Sequence, residues 1–329
     1  MSKTFSALIV SEENGKFIRK VLKRNIDELP LGDVLINVKY SSLNYKDALS
    51  ATGNKGVTRK YPHTPGIDAA GIVIESSSNK FKKGEEVLVT GYDLGMNTSG
   101  GFAEYIRVPS EWVVKLPEEL TLKESMIYGT AGFTAGLSLY KLQQCSEEKI
   151  NGEVLVTGAS GGVGSLAVAI LSKNGYNVIA STGKRDKKDF LNKLGAKEVI
   201  DREEIDDKSG KALLNRRWKA AIDTVGGNIL ATVIKQMDYR CSVAACGNTY
   251  SPLLNTTVFP FILRGVNLLG INSAETPMDL KVIIWNKLAK EWKPDCLDQI
   301  YEECRLEKLS EKIDLILQGQ ITGRILVKL

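Results

Sequence analysis

One strand-to-helix junction in the middle of the chain limits its fold more than any other feature: Val154-Leu-Val-Thr-Gly158-Ala-Ser160-Gly161-Gly162-Val163-Gly164. The apolar run Glu153 to Val156 reads as a buried strand. Val163 to Lys173 has no breaker and reads as a helix. Between them Gly158, Gly161 and Gly164 recur at three-residue intervals. Glycines so placed allow a tight turn, let the backbone approach a pyrophosphate and let the helix lie close to the sheet. The N–H groups that open the helix then face the phosphates. A second strand, Asn177 to Ser181, follows at the spacing of a βαβ unit. A glycine triplet alone is a weak signal, but this context predicts a dinucleotide site rather than an ordinary glycine turn.

The end of that second strand bears on the choice of cofactor. An NAD site places an acid there for the ribose 2′-hydroxyl. Here the strand runs out as Ser181-Thr182-Gly183-Lys184-Arg185, with no acid before Asp186. A hydroxyl followed by two cations suits a 2′-phosphate, because charge-assisted hydrogen bonds to phosphate are strong. Arg202, after a short third strand Glu198 to Ile200, is placed to close the same pocket. The expectation is NADP(H). The plainer alternative for Lys184, Arg185, Lys187 and Lys188 is a solvated helix start.

Composition excludes several classes. The chain has 329 residues, enough for two domains, and is 43% hydrophobic and 25% charged, as in a globular protein. The net charge of +5 is mild and its cations interleave with acids, so no nucleic-acid partner is expected. No apolar run approaches a membrane span and the start is no signal peptide, so a cytoplasmic protein is expected. Five widely spaced cysteines suggest reduced thiols, with Cys241 and Cys246 bracketing a strand.

Strands are expected at Thr4 to Val10, Asp33 to Ser41, Gly71 to Ser76, Glu86 to Thr90 and Ala103 to Val108, punctuated by Gly and Pro as in an irregular barrel. The pattern turns helical from Ser125 to Leu142, where Gly129, Gly132 and Gly136 suggest close packing against another backbone. From Glu153 to Ser273 strand-like and helix-like stretches alternate, with further strands at Lys219 to Asp223, Cys241 to Cys246 and Val266 to Ile271. That alternation predicts a parallel α/β sheet with its ligand at the carboxyl ends of the strands. Met278 to Glu291 reads as a helix, and Ile313 to Leu329 as helix, glycine turn and strand. The expected organisation is a β-rich substrate domain, 1–125 plus 298–329, with a Rossmann-type domain, 126–297, inserted into it. Cofactor and substrate would meet in the cleft between them.

Competing motifs lack their partners. Gly158-Ala-Ser160-Gly-Gly162 fits a serine hydrolase elbow, but the one histidine, His63, lies far upstream. A short-chain dehydrogenase would need a tyrosine with lysine four residues on, and none exists. Zinc is not expected, because the first 140 residues hold no cysteine and only His63, which reads as a loop residue.

With no zinc, a barrel-like first domain and an inserted nucleotide fold, the chain resembles the quinone oxidoreductase branch of the medium-chain dehydrogenase/reductases. It is most similar to the acrylyl-CoA reductase family. The likeness rests on Ser41-Ser-Leu-Asn44-Tyr45-Lys46-Asp47, Pro65-Gly66-Ile67-Asp68, Gly129-Thr-Ala-Gly-Phe-Thr-Ala135, the glycine turn and Ala221-Ile-Asp-Thr-Val-Gly226. Ala244-Ala-Cys-Gly247, Pro260-Phe-Ile-Leu-Arg264 and Gly323-Arg324-Ile-Leu-Val-Lys328 extend it over nearly the whole chain. The motifs are specific jointly rather than singly. Gly66-Ile67-Asp68 stands where zinc-dependent relatives carry Gly-His-Glu.

The resemblance implies a GroES-like substrate domain with an inserted Rossmann domain, and NADPH-dependent reduction of acrylyl-CoA to propionyl-CoA. It implies NADP(H) contacts from Tyr45, Gly158, Ser160, Gly161, Gly162, Val163, Gly164, Thr182, Gly183, Lys184, Arg202, Asn248, Ile262 and Ser273. Two positions depart from the family pattern: Asn248-Thr-Tyr-Ser-Pro252 replaces a glycine-containing stretch, and Gly319 stands where Asn is usual. Many relatives pair through the edge strand, here Val266 to Ile271, so a homodimer is expected.

Hydride addition to an unsaturated thioester needs the β-carbon against the nicotinamide, donors for the enolate oxygen, and a proton for the α-carbon. Asn44, Tyr45, Asp68 and Arg324 are the polar candidates. Asn44 or Arg324 would stabilise the oxyanion, and Tyr45 would order a water or supply the proton. The plainer alternatives are loop ties for Asn44 and Asp68, and packing on the cofactor for Tyr45. A quinone acceptor and a non-enzymatic NADPH sensor are the rival readings.

Overall fold

The computed structural model describes residues 3–146 and 150–329. The described chain forms two compact units. One holds Met1–Thr130, Ala274–Ala289 and Tyr301–Leu329; the other holds Ala131–Ser273 and Lys290–Ile300. Residues 126–130 and 274–289 thus group with the first unit and 298–300 with the second, whereas the sequence boundaries at 126 and 298 place each the other way.

The second unit is a six-stranded parallel sheet in the order Glu198–Asp201, Asn177–Thr182, Glu153–Val156, Trp218–Asp223, Met237–Ala245, Asn267–Gly270. Counted along the chain this order is 3-2-1-4-5-6, in which the direction of winding reverses beside Glu153–Val156. The central strands are continuous apolar runs because helices cover both faces. Leu155, Ile179, Ala221 and Val243 meet Trp218, Ile229 and Val233 in one dry core. Ligands of such sheets bind where the winding reverses, at the carboxyl ends of the strands.

The first unit is a largely antiparallel sheet. Its strands follow the order Tyr301–Arg305, Arg324–Lys328, Val34–Leu43, Asp68–Ser76, Glu86–Thr90, Val113–Lys115, with Tyr105–Val108 on Val34–Asn37. Val34, Ile36, Val38, Val73, Val87, Val89 and Ile106 fill its core. The late strand Arg324–Lys328 pairs antiparallel with Tyr40–Leu43, so the tail completes a sheet begun early in the chain. A separate ribbon pairs Thr4–Glu13 with Lys16–Asn25.

Several elements differ from the sequence expectations. Lys16–Asn25 is a strand that the cation-rich sequence did not reveal. Cys241 lies inside a strand that begins at Met237, not at its edge. All five cysteines are free. The helix Leu122–Gln144 is interrupted at Gly129, with φ 49° and ψ −156°. That glycine faces side chains rather than another backbone: an added Cβ would sit 2.3 Å from Ser42 Oγ and 2.5 Å from Asp68 Oδ2.

Candidate functional site

In the parallel-sheet unit the glycine turn follows Glu153–Val156 and opens the helix Gly162–Lys173. Gly158 has φ 58°, and a Cβ there would lie 2.3 Å from Thr224 Oγ1. A Cβ on Gly164 would lie 2.3 Å from Gly158 O, so the helix rides directly on the turn that precedes it. Gly161 caps the helix without a side chain. The first-turn N–H groups have no intrahelical acceptor and carry the positive end of the helix dipole. The turn therefore presents bare donors to an anion, with no Cβ in the way, and fits a pyrophosphate.

The floor of this cradle was not assigned from sequence. Thr157 Oγ1 donates to Asp223 Oδ1 at 2.7 Å, and Gly226 N donates to Asp223 Oδ2 at 2.8 Å. Thr224 returns two bonds to Thr157, through its N–H to Oγ1 at 3.0 Å and its hydroxyl to O at 2.9 Å. These contacts clamp together the carboxyl ends of the two strands that flank the winding reversal. Asp223 is fully buried, and burial pushes its carboxyl above the usual range while Thr157 and Gly226 pull it back. The motif Ala221 to Gly226 carried this signal, but its pairing with Thr157 spans 66 residues.

At the end of Asn177–Thr182, Thr182 is buried and its hydroxyl pairs with Ser160 Oγ at 2.9 Å and accepts from Lys184 N at 3.1 Å. That hydroxyl ties the Ser160 loop to the Gly183-Lys184 turn. The Arg202 side chain covers Gly183, where a Cβ would meet its Nε at 2.9 Å and Cζ at 3.1 Å. Burial holds the Lys184 ammonium below its usual value, with Lys187 adding to the effect and Asp186 opposing it. An anion beside Lys184 would restore it, so the turn suits a phosphate. Arg185 does not join this group. Its Nε donates to Asp201 Oδ2 at 2.5 Å and its Nη2 to Glu203 Oε2 at 3.2 Å.

The other residues implied for the cofactor are scattered. Asn248 is exposed, with its Cα near Gly226, where a Cβ would lie 3.4 Å away. Ser273 accepts from Thr134 Oγ1 at 2.8 Å. Ile262 is 72% exposed on the short helix Phe259–Arg264.

In the first unit Asn44, Asp68 and Arg324 meet in one buried polar network. Asn44 caps the helix Tyr45–Ser50 in a reciprocal box with Asp47: Asn44 N donates to Asp47 Oδ2 at 2.8 Å. Asn44 Nδ2 donates to Asp68 Oδ2 at 2.7 Å, and Asn44 Oδ1 accepts from Arg324 Nη1 at 3.2 Å. Asp68 also accepts from Ser42 Oγ at 2.6 Å, Thr130 Oγ1 at 2.6 Å and Thr130 N at 2.9 Å. Arg324 is 3% exposed and donates further to Ile127 O, Leu43 O and Ser42 Oγ. Its Nη2 lies 3.9 Å from Asp68 Oδ2. The Asn44 amide and the Arg324 guanidinium thus direct these hydrogen bonds into the network. Tyr45, by contrast, is 40% exposed.

Ser42, Asp47 and Thr130 are members that sequence reasoning did not assign. Burial and the neighbouring Asp68 push the Asp47 carboxyl up to about 7, against the opposing bonds from Asn44 and from Ile67 N at 2.8 Å. The Asn-x-x-Asp spacing of a capping box was the available signal. His63, read as a loop residue, lies outside the named strands in an isolated bridge to Val10 and is buried there, with Nε2 2.9 Å from Gly95 O. Among the described residues no group of three or more His, Cys, Asp or Glu side chains is placed to hold a metal ion. Among them, too, no helix is long and apolar enough to cross a membrane.

Comparison with known proteins agrees with both halves. Residues 30–118 match the alcohol dehydrogenase GroES-like domain, and residues 162–289 match the family described as zinc-binding dehydrogenase. The chain is 46% identical over the full length of both proteins to "Putative quinone oxidoreductase YhfP" of Bacillus subtilis. A crystal structure of that protein with NAD bound superposes with a TM-score of 0.97 over all of both chains. It is 42% identical to acrylyl-CoA reductase AcuI of Ruegeria pomeroyi, over 98% of each chain. The yhdH oxidoreductase of Salmonella enterica, solved in complex with NADP, is 44% identical and superposes with a TM-score of 0.95, over 98% of this chain and 99% of that one. On this evidence the chain belongs to the medium-chain dehydrogenase/reductase superfamily, in its acrylyl-CoA reductase branch.

Proposed function

We propose that the protein is an NADPH-dependent reductase of the carbon–carbon double bond of a short α,β-unsaturated acyl-CoA, with acrylyl-CoA reduced to propionyl-CoA. The observation that carries the cofactor half is the Gly183 turn, where Lys184 and Arg202 flank the end of a strand that has no acid of its own. The substrate half is supported by the likeness to the Ruegeria pomeroyi enzyme. In this reading the N–H groups of Gly162 and Val163 hold the pyrophosphate, and Lys184 and Arg202 hold the 2′-phosphate. Bound NADPH supplies the hydride, which is the cofactor's own chemistry. Tyr45 is the catalytic candidate, because it alone of the four polar candidates is substantially exposed. Its phenol orders a water or gives the α-carbon its proton. Asn44, Asp68 and Arg324 are positioning residues that fix the start of the Tyr45–Ser50 helix, and with it the phenol.

The second unit also carries a cluster of outward apolar side chains: Leu253, Val258, Phe259, Ile262, Leu263 and Leu268. Leu268 sits on Asn267–Gly270, the edge strand of the sheet. An exposed edge with apolar surroundings favours pairing with another copy, so we propose a homodimer through this face. A monomer in sedimentation at micromolar concentration would exclude it.

The deciding experiment follows NADPH absorbance with acrylyl-CoA, crotonyl-CoA and a benzoquinone side by side. Turnover of acrylyl-CoA well above that of the quinone is expected. Faster quinone turnover would overturn the substrate, and bound NADPH with no turnover on any acceptor would favour a sensor.

A further inference from the structure

We infer that Arg185 determines cofactor specificity by masking the carboxylate of Asp201, and does not itself bind phosphate. The inference rests on the NADPH reading above. Asp201 is the register partner of Thr182 on the adjacent parallel strand, so the two side chains share a face of the sheet. The acid missing from the end of the second strand is therefore supplied by its neighbour. A bare carboxylate at that level suits a ribose 2′-hydroxyl and repels a 2′-phosphate.

Asp201 has little freedom to swing away. Its side chain accepts the backbone N–H of Glu204 and caps the turn Arg202–Ile205, while Asp201 N donates to Glu204 Oε1 at 2.8 Å. The cap also sets where Arg202 leaves the backbone. An acid is thus built into the pocket wall by the same geometry that delivers the cation. Glu203, next to Arg202, adds a second negative charge.

Arg185 offsets both. Its Nε and Nη2 are committed to Asp201 and Glu203, so its fork is aimed at the acids. Arg185 is 78% exposed and Asp201 23%, so the cation of the pair is solvated. Exposed ion pairs contribute little to stability, so a variant should fold like the parent. What remains is the local field. Such pairs are worth about a twofold to fivefold change in an equilibrium, and salt screens them.

The test titrates NADPH and NADH onto the full-length protein by nucleotide fluorescence. The proteins are the parent, Arg185→Gln, Asp201→Asn and the double variant; Asn keeps a capping oxygen. NADPH should bind Arg185→Gln about twofold to fivefold more weakly than the parent, NADH no more weakly, and the gap should narrow at high salt. The double variant should regain most of the lost NADPH affinity, because the Asp201 carboxylate is gone and only the more exposed Glu203 is left unmasked. A double variant as weak as Arg185→Gln would mean that Arg185 touches the phosphate, and would overturn the inference. An unchanged cofactor ratio in Arg185→Gln would overturn it too, while leaving the NADPH reading intact. A parent protein that binds both cofactors equally would defeat that reading and this one together.

Discussion

Arg324 donates through Nη1 to the side-chain oxygen of Asn44 at 3.2 Å, although 280 residues separate them in the chain. Asn44 in turn donates to Asp68 at 2.7 Å, so one amide links a buried cation to a buried carboxylate. The amide is thereby held in a single orientation, since only one flip places its oxygen toward the guanidinium.

Arg324→Gln should expose the cost of that linkage. Removing one partner of a buried ion pair leaves the other uncompensated, at about 3–5 kcal/mol. Denaturant unfolding should show a loss of that order, and kcat should fall alike on acrylyl-CoA and on a short thioester without the nucleotide. Unchanged stability with a KM effect confined to the CoA substrate would instead mean that Arg324 binds a CoA phosphate.

Lys184→Ala should weaken NADPH far more than NADH. A hydrogen bond to a charged group is worth roughly 1.5–3 kcal/mol, on the order of tenfold to a hundredfold in affinity. Titration of both cofactors measures this, and an equal loss for both would remove Lys184 from the 2′-phosphate.

Asp47 should make stability fall as pH rises. Its carboxyl titrates near 3.8 in the unfolded chain and is raised to about 7 in the fold. Between those values the folded state holds the extra proton, so its stabilising effect is complete below the lower value and lost as pH passes the upper one. Asp47→Asn should flatten this slope in unfolding measured from pH 4 to 7.5. The variant should also be less stable at the acid end, because an amide NH₂ would face one of the N–H groups of Asn44 and Ile67. A variant with the parent's slope would show that Asp47 keeps its ordinary titration.

Gly129→Ala should destabilise the first unit. The residue has φ 49°, and a Cβ would stand 2.3 Å from Ser42 Oγ, 2.5 Å from Asp68 Oδ2 and 2.9 Å from Arg324 Nη2. Overpacking costs roughly 1–3 kcal/mol before the left-handed backbone is counted. Thermal melting checks it; a Tm within a degree of the parent's would mean that the network yields without cost.

Local pattern revealed what local forces decide. Glu86–Thr90 and Glu153–Val156 are short apolar runs, and both appear with the boundaries read from sequence. The glycine turn was legible because glycine alone tolerates both the backbone and the crowding there. Lys16–Asn25 was not, because its apolar residues come as adjacent pairs, Phe17-Ile18 and Val21-Leu22, among Lys and Arg, and none of its residues is fully buried. The Asp68 network was legible only in part. Its members Ser42 and Thr130 lie 26 and 62 residues from Asp68, and no local spacing announces a hydrogen bond over that distance. Arg185 shows a related limit: beside Lys184 it reads as a phosphate ligand, and its acceptors Asp201 and Glu203, on the next strand and the turn that follows it, have no local signal at Arg185.

The strand that carries Arg324 has a temporal consequence. During synthesis the segment from Ser42 to Asp68 leaves the ribosome first, with two carboxylates destined for a dry interior. Their counter-ion is translated about 250 residues later, after the whole parallel sheet. At typical rates of 5–20 residues per second, that is an interval of roughly ten to fifty seconds. The nucleotide unit holds all its strands by then, whereas the first unit waits for its arginine. Folding from the ribosome is thereby ordered: the inserted half matures first, and the half that began the chain closes last.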